Sequence, residues 1–214
     1  MLVADAMTPD PTTVAPDVHV LQALERLSTA HVRRMPVVDR SGALTGIVTA
    51  GDLNAATPRA TTAISLYDLN YLLATLTVGD VMTPGPVTVE REAPIEDAAV
   101  LLERHRVSGL PVVEDDALVG ILTITDVLRA FIDVHGAAEG GIRLTVEVPD
   151  EPGVLASLAQ QAAPGNITAV VTSAVTPGAT RRLVLRIQGE GSEGYAERLE
   201  AAGVRVLDAR RFDP

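Results

Sequence analysis

The sequence LTGIVTAGDL at Leu44–Leu53 recurs 74 residues later as LVGILTITDV at Leu118–Val127. Two further blocks recur in the same order at an offset of 75 residues. They are Asp5–Pro9 (DAMTP) with Asp80–Pro84 (DVMTP), and Met35–Asp39 (MPVVD) with Leu110–Glu114 (LPVVE). Three blocks that keep their order and spacing identify an internal repeat, which is a stronger signal than any one short motif.

Each copy of the repeat predicts the order strand, helix, strand, strand, helix. Apolar residues spaced i, i+3, i+4, i+7 predict the first helix. They are Val20, Ala23, Leu24 and Leu27 in one copy and Ile95, Ala98, Ala99 and Leu102 in the other. The remaining elements are an initial extended piece (Pro11–Val14; Pro86–Val89), two short strands (Pro36–Val38 and Gly46–Thr49 in the first copy) and a second helix near Asp52 or Asp126. One copy is too small to bury its own sheet, so we expect the two to pack around a pseudo-twofold axis.

Composition excludes several classes of function. The net charge is −11, the chain has no Lys and no Cys, and all 17 basic residues are Arg. An acidic surface repels phosphate and argues against nucleic-acid partners, and the missing Lys and Cys exclude lysine Schiff bases, disulfides and cysteine zinc sites. No apolar run reaches the roughly 18 residues of a membrane span, and the N-terminus lacks signal-peptide features. We therefore expect a cytoplasmic protein with no membrane partner.

The repeated blocks resemble a tandem pair of CBS domains, the regulatory Bateman module, over residues 1 to about 135. The matching features are the Met-Thr-Pro segment, the Pro-Val-Val-acid strand and Gly-Ile-x-Thr-x-x-Asp, each present twice. The segment Ser65–Leu73 resembles the inter-repeat helix of acetoin-utilisation proteins of the AcuB group. We expect CBS repeats at residues 1–60 and 80–135, separated by a helix and linker at 61–79.

The candidate ligand sites are two Thr-x-x-Asp motifs, Thr49–Asp52 and Thr123–Asp126, each where a strand meets a helix. A helix N-terminus and a Thr hydroxyl suit a phosphate, and an Asp carboxylate can accept hydrogen bonds from two ribose hydroxyls. The family resemblance implies that these four residues contact the phosphate and ribose of an adenine nucleotide such as AMP, ADP or ATP. The complete candidate set is Thr13, Arg33, Met35, Pro36, Thr49, Asp52, Thr88, Ser108, Leu110, Pro111, Thr123 and Asp126.

Two alternatives remain open for these residues. Thr-x-x-Asp at a helix start is also a capping box, in which the side chains satisfy backbone donors. In the first cleft Arg33-Arg34 could neutralise a polyphosphate, or could only balance an acidic surface. The Thr123/Asp126 cleft fits the CBS pattern better, whereas the arginines are assigned to the Thr49/Asp52 cleft.

The last third predicts a second domain after a Gly-rich linker at 136–141. Alternating apolar residues from Ile142 to Val148 indicate a strand, and the order strand-helix-strand-strand-helix-strand predicts a ferredoxin-like α+β fold over 142–214. The segment Pro149–Leu155 opens a predicted helix that has Pro152 near its first turn and runs to about Ala163, and a second helix is predicted from Glu193 to Ala202. The turn Asp150–Leu155, with Asn166-Ile167, resembles an ACT domain. That resemblance implies either a ligand site at Asp150, Gly153, Val154 and Asn166 or a role in dimerisation or partner binding, and we favour the second.

The expected function is that of a regulatory sensor rather than an enzyme. The four histidines, His19, His31, His105 and His135, have no metal-ligand spacing, and no nucleophile stands in a recognisable catalytic setting. We expect an adenosyl ligand, no catalytic cofactor, no metal, a homodimer and a regulated protein partner. The competing hypotheses are an interaction scaffold with vestigial clefts and, third, an enzyme.

Overall fold

A computed structural model describes residues 1–56, 75–136, 140–176 and 180–212 of the chain. The chain forms two compact units, Met1–Val127 and Leu128–Pro214. The inter-repeat helix predicted around Ser65–Leu73 lies outside the described residues. Each unit is described below by itself.

Each repeat contains the two helices and the two strands between them that the sequence predicts, but the initial extended piece forms a strand only in the second repeat, because in the first Val14 makes just an isolated bridge to Val37. The first repeat comprises α1 (Val3–Ala6), β1 (Thr8–Pro9), α2 (Val20–Thr29), β2 (Arg34–Val38), β3 (Leu44–Thr49) and α3 (Ala50–Ala56). The second comprises α4 (Val78–Val81), β4 (Thr83–Pro84), β5 (Val89–Glu90), α5 (Ile95–His105), β6 (Gly109–Glu114), β7 (Ala117–Thr123) and α6 (Ile124–Val134). The last helix of each repeat begins two residues before the Asp of its Thr-x-x-Asp motif, because the Thr is the residue that caps it.

Each repeat has a separate hydrophobic core built on the predicted helix face. In α2, Val20, Ala23 and Leu27 are buried against the strands of the first repeat, and Leu24 packs at their edge. In α5, Ala98 and Leu102 are buried in the second core, and Ile95 is also buried. The 3.6-residue periodicity therefore identified the buried side of both helices.

The segments that contain Met-Thr-Pro cross to the opposite repeat, which the sequence did not predict. We call Asp5–Pro9 and Asp80–Pro84 the lead segments. Strand β1 of the first lead segment pairs antiparallel with β7, in a sheet of order β1-β7-β6-β5. Strand β4 of the second pairs antiparallel with β3, in the order β2-β3-β4. The two repeats are thus tied together by reciprocal strand exchange.

Two glycines provide the space for this exchange. A Cβ atom on Gly46 would collide with the side chain of Met82 and lie 3.0 Å from the carbonyl oxygen of Thr83. A Cβ atom on Gly120 would collide with Met7 and lie 3.2 Å from the carbonyl oxygen of Thr8. The Gly that Leu44–Leu53 and Leu118–Val127 share is therefore explained by the close approach of the exchanged backbone.

The C-terminal unit has the predicted ferredoxin-like topology. It comprises β8 (Gly141–Pro149), α7 (Val154–Ala162), β9 (Asn166–Thr176), β10 (Thr180–Gln188), α8 (Tyr195–Ala201) and β11 (Arg205–Phe212). The four strands form one antiparallel sheet in the order β11-β8-β10-β9. Leu144, Val146 and Val148 of β8 are buried beneath the helices, as their alternation predicted, and the buried Tyr195 hydroxyl donates to the Leu158 carbonyl at 2.7 Å.

The boundaries of these elements differ slightly from the predictions. Helix α7 begins at Val154, because Gly153 adopts a left-handed conformation with φ of +91° and Pro152 precedes the helix. Helix α8 begins at Tyr195 rather than Glu193, and the last strand continues to Phe212. Within the described residues, no helix is long and apolar enough to cross a membrane, and no three His, Asp or Glu side chains are grouped as a metal site would need.

Candidate functional site

Both Thr-x-x-Asp motifs form caps at strand–helix junctions. Thr49 donates to Asp52 Oδ2 through its backbone N–H at 2.9 Å and its hydroxyl at 2.7 Å, and the Asp52 N–H donates back to Thr49 Oγ1 at 3.2 Å. Thr123 donates to Asp126 Oδ2 through its backbone N–H at 2.8 Å and its hydroxyl at 2.6 Å. The capping alternative therefore describes the geometry of both motifs in this structure.

The surroundings of Asp126 form a well-defined cleft. A cavity of about 650 Å³ lies in the first unit, and Asp126 at its wall is only 8% exposed. The wall includes Ser108, Ile121 and the start of helix α6. The first lead segment and the residues that follow it also contribute, through Thr8, Asp10, Pro11 and Thr12. This volume falls within the range of about 300–1,000 Å³ that small-molecule sites occupy.

The assignment of the arginines to the Thr49/Asp52 cleft is wrong. Arg33 and Arg34 line the Thr123/Asp126 cleft. The backbone of Arg34 does pair with Thr49 across β2 and β3, but its side chain lies against Gly109, and its guanidinium interacts electrostatically with Asp126. Gly109 makes this path possible because it has no side chain.

The environment of the Arg34 guanidinium disfavours its positive charge. Partial burial lowers the pKa of its guanidinium, and the neighbouring charge of Arg33 lowers this pKa further. Asp126 opposes both effects by favouring the protonated form. Since an arginine stays protonated at any physiological pH, the consequence is a partly desolvated cation that an anion would stabilise.

The cleft brings together four of the twelve residues predicted for nucleotide binding, namely Arg33, Ser108, Thr123 and Asp126. Four others, Met35, Pro36, Leu110 and Pro111, are buried strand residues, and Met35 and Leu110 belong to the two hydrophobic cores. Thr13 and Thr88 are half-buried. In the part of the chain that the structure describes, none of these six lines this cleft. Thr49 and Asp52 form the other cap.

Sequence reasoning missed the contribution of the lead segment. Thr8, Asp10 and Thr12 line the cleft of the second repeat although they lie in the first. They enter it because strand β1 is exchanged onto β7, where Thr8 pairs with Ile121. The repeated DAMTP block marked the segment as important, but nothing in its sequence indicates which repeat it joins.

The predicted ACT-type ligand residues are only partly brought together. Asp150, Gly153 and Val154 line a cavity of about 470 Å³ with Arg181. The Asp150 carboxylate accepts from Arg181 Nε at 2.6 Å and Nη2 at 3.1 Å, and these bonds lower the Asp150 pKa. Asn166 lies apart from them.

The distance to Asn166 follows from the sheet register. Asn166 pairs with Gln188 at the far end of β10, whereas Arg181 is the second residue of that strand. The two positions are seven residues apart along the strand, which is roughly 23 Å at about 3.3 Å per residue. Grouping Asn166 with the Asp150 turn was therefore a mistake about which end of the sheet it occupies.

Comparison with known protein families agrees with this architecture. The CBS-domain profile matches residues 3–58 and 78–133, which together make up just over half of the chain. The chain belongs to the CBS-domain family. The profile of the TTHA0829-like ACT domain matches residues 140–210, which confirms the resemblance seen in the C-terminal third.

Curated relatives match the chain over about three fifths of its length. A CBS domain-containing protein of Dictyostelium discoideum is 34% identical over 135 residues, covering 63% of this chain and 93% of the relative. L-aspartate semialdehyde sulfurtransferase of Methanocaldococcus jannaschii is 28% identical over 131 residues, covering 61% of this chain. The chain spans only 23% of the length of that enzyme, so the match to it is partial.

Solved structures show the same fold in the CBS region. CBSX2 of Arabidopsis thaliana, in complex with AMP, is 37% identical with a TM-score of 0.52, covering 62% of this chain and 97% of that one. The CBS domain pair of protein MJ0100 has been solved in complex with 5′-methylthioadenosine and S-adenosyl-L-methionine. It is 27% identical with a TM-score of 0.51, and the match covers 61% of this chain and 99% of that one. An acetoin utilisation protein (AcuB) from Vibrio cholerae is 28% identical with a TM-score of 0.52, and the match covers 62% of this chain and 91% of that one. This likeness agrees with the resemblance to the AcuB group noted in the sequence.

Proposed function

We propose that this protein is a regulatory sensor whose Thr123/Asp126 cleft binds an adenosyl ligand. The observation that carries the proposal is the 650 Å³ cavity that gathers Arg33, Ser108, Thr123 and Asp126. Similar CBS pairs have been solved in complex with AMP and with 5′-methylthioadenosine and S-adenosyl-L-methionine, which supports an adenosyl compound as the ligand.

The residues of the cleft have complementary roles in this proposal. The Asp126 carboxylate accepts hydrogen bonds from the ribose hydroxyls, since a carboxylate can accept several donors at once. The Thr123 hydroxyl turns from Asp126 toward a phosphate oxygen when the ligand binds. Ser108 supplies a further polar contact, and Ile121 provides an apolar wall for the base.

Regulation requires that the ligand bind two arrangements of the protein with different affinity. We propose that the C-terminal ACT-like unit transmits this difference through homodimer or partner contacts. Several of its apolar side chains are exposed, as an interaction surface would require. They include Leu155, Val170, Leu207 and Phe212. A role in acetoin utilisation rests on the AcuB likeness alone.

Thermal unfolding with a panel of AMP, ADP, ATP, 5′-methylthioadenosine and S-adenosyl-L-methionine tests the binding proposal. A ligand present at about 100 times its dissociation constant adds about 2.7 kcal/mol to stability, which raises the melting temperature by several degrees. We expect Asp126→Ala to abolish this shift, while Asp52→Ala, which removes the equivalent cap from the first repeat, largely retains it. Absence of a shift with every compound would refute the proposal, and loss only in Asp52→Ala would place the ligand in the other cleft.

An interaction scaffold with vestigial clefts is the second candidate. The observation that favours it is the complete pairing of Thr49 with Asp52, which accounts for both residues as a helix cap without a ligand. A scaffold predicts that the double variant Asp52→Ala/Asp126→Ala keeps the oligomeric state and partner binding of the wild type at every nucleotide concentration. A sensor predicts that the nucleotide dependence of those contacts disappears in the same variant.

A further inference from the structure

The outer face of the C-terminal sheet, which is the face opposite the helices, carries a row of three arginines. In the register of the sheet, Arg186 of β10 lies opposite Arg143 of β8, and Arg143 lies opposite Arg210 of β11. The adjacent Leu144 and Leu185 are buried, so alternation along the strands places the arginines on the outer face. Like charges directly opposite each other destabilise a sheet. An anion bound to this row would remove the repulsion.

The acidic side chains nearby neutralise only part of this charge. Asp208 is the partner of both Arg143, at 3.4 Å, and Arg210, at 2.9 Å. In the parts of the chain that the structure describes, no carboxylate lies within ion-pairing distance of the half-buried Arg186. Its guanidinium instead lies over the ring of Phe212, 5.2 Å from the centroid. Among the described residues, the three guanidinium groups of the row therefore share one carboxylate.

Two arginines of the row, Arg143 and Arg186, border an apolar cavity. Its volume is about 400 Å³, within the range of about 300–1,000 Å³ of small-molecule sites. All of its lining residues belong to the C-terminal unit. Strands β9 and β10 supply three aliphatic side chains. These are Ala169, Val171 and Val184. Phe131 and His135, whose rings stack with centroids 3.8 Å apart, complete the wall, so the cavity can enclose a compact apolar group.

We propose that this cavity binds a small carboxylate with a compact aliphatic body. The guanidinium groups of Arg186 and Arg143 hold the carboxylate through charge-assisted hydrogen bonds, and the aliphatic lining buries the body of the ligand. The preferred ligand carries no ammonium group. Among the described residues that line the cavity, none has a carboxylate that could accept from an ammonium group, and the two guanidinium groups repel it.

This site is separate from the cavity at Asp150. Arg181 and Arg186 are five residues apart on β10, so alternation places their side chains on opposite faces of the sheet. The Arg181 guanidinium already donates to Asp150 through Nε and Nη2, whereas Arg186 has no such partner among the described residues. The site also shares no lining residue with the Thr123/Asp126 cleft, so it adds a second ligand to the proposed sensor.

An NMR titration of the full chain with 4-methylpentanoate, leucine and acetate tests the proposal. Leucine is 4-methylpentanoate with an added ammonium group, and acetate keeps the carboxylate without the aliphatic body. We expect 4-methylpentanoate to bind at least about tenfold more tightly than either. Burial of an aliphatic group of this size contributes more than the roughly 1.4 kcal/mol that a tenfold change represents. Backbone amide signals of residues 143–145 and 184–186 should shift on binding.

Three variants separate the local interactions from a general effect of charge. Arg186→Gln should weaken 4-methylpentanoate by about tenfold or more, because the charge-assisted hydrogen bonds are lost. Arg182→Gln is the matched control, since Arg182 lies on the same face of the same strand but outside the cavity, and it should change the affinity by less than about twofold. Val184→Thr keeps the shape of the side chain but adds a hydroxyl, and should weaken 4-methylpentanoate without changing acetate. The melting temperature of each unliganded variant reports whether it has folded.

The proposal fails if leucine binds as tightly as 4-methylpentanoate, or if Arg182→Gln and Arg186→Gln lose affinity equally. Shifts confined to residues 150–155 would place the ligand in the Asp150 cavity and would also overturn it. None of these results bears on the adenosyl cleft, because adenosyl compounds are titrated separately.

Discussion

The two repeats of the CBS pair have the same local geometry but different chemistry at their clefts. The hydroxyl of Thr49 lies 2.7 Å from Asp52 Oδ2, and that of Thr123 lies 2.6 Å from Asp126 Oδ2. Two arginines line the cavity at the second cap, and both come from the first repeat. The repeated motif therefore determines how a helix starts, whereas residues from the opposite repeat determine which charged groups line the cleft.

The two cores differ in the same way as the clefts. Leu53 and Val127 occupy equivalent positions in the two repeats, one turn into the last helix of each. Leu53 is completely buried in the first core, whereas Val127 is only partly buried at the edge of the second. The first repeat therefore depends more strongly on this position for its stability.

The largest predicted effect is that of Leu53→Ala compared with Val127→Ala. Removing a fully buried leucine side chain leaves a cavity and costs about 2–5 kcal/mol, so we expect the free energy of unfolding to fall by about 3 kcal/mol. The partly exposed Val127 should cost about 1 kcal/mol. Urea denaturation followed by circular dichroism measures both values.

The exposed Leu21 on helix α2 provides a control for the loss of a leucine side chain alone. Leu21→Ala should change the free energy of unfolding by less than about 0.5 kcal/mol. Equal losses for Leu53→Ala and Val127→Ala would contradict the difference between the two cores.

The next effect concerns the exchange of the lead segments. Gly46→Ala and Gly120→Ala each place a methyl group against a methionine and a backbone carbonyl from the other repeat. Overpacking of this kind typically costs about 1–3 kcal/mol. We expect the larger loss for Gly46→Ala, because the Thr83 carbonyl lies 3.0 Å from the added atom and the Thr8 carbonyl lies 3.2 Å from its counterpart. Thermal unfolding of both variants checks this order.

Gly51→Ala is the matched control for these glycines. Gly51 lies in helix α3, where an added Cβ atom would be 3.4 Å from Thr49 Oγ1, an ordinary contact. Ala is a better helix former than Gly by about 1 kcal/mol, so this variant should be as stable as the wild type or more stable. If Gly46→Ala and Gly120→Ala also left the melting temperature unchanged, the lead segments would not approach these glycines as closely as the structure indicates.

Local signals predicted most of the elements, since the repeat, the helix faces and the strand alternation are all local patterns. Val20, Ala23 and Leu27 are buried because a helix with that spacing has one apolar side, whichever sheet it meets. The buried face of strand β8 is predictable in the same way, because the alternation of apolar residues alone indicates that Leu144, Val146 and Val148 face the same side of the sheet. The sheet order of the C-terminal unit followed from the order of its elements.

The candidate site could not be predicted to the same extent because it depends on contacts between the repeats. Arg34 belongs to the same repeat as Thr49, and its backbone pairs with Thr49, so the sequence suggests that it lines the first cleft. Its side chain instead extends onto Gly109 of the second repeat. Thr8 enters the second cleft through a strand exchange that no local pattern reveals. Asn166 was misplaced because register, rather than composition, determines which end of a sheet a strand residue occupies.

The smallest predicted effect comes from the difference between the N-terminal caps of the short helices α1 and α4. Thr77 donates to Asp80 Oδ2 through its hydroxyl at 2.7 Å and its N–H at 2.9 Å, whereas the equivalent residue Leu2 offers Asp5 only its N–H, at 2.8 Å. The hydroxyl bond is the main cause of the lowered pKa of Asp80, and the backbone bond adds to it. A carboxyl whose pKa is lowered by folding stabilises the protein above its unfolded value of about 3.9, and this contribution is lost as the pH falls through the folded value.

Thr77→Val should therefore raise the pKa of Asp80 toward its ordinary value, since only the weaker backbone bond remains. Thr77→Ser, which keeps a hydroxyl, should leave the pKa lowered. A carboxyl NMR titration from pH 2 to 6 measures the pKa in each variant. The melting temperature of Asp80→Asn should fall below that of the wild type at pH 6, and the gap should close as the solution is acidified below about pH 4. A gap that stays constant down to pH 2 would mean that the ionised carboxylate does not stabilise this cap, and that Thr77 gives α4 no advantage over the leucine-capped α1.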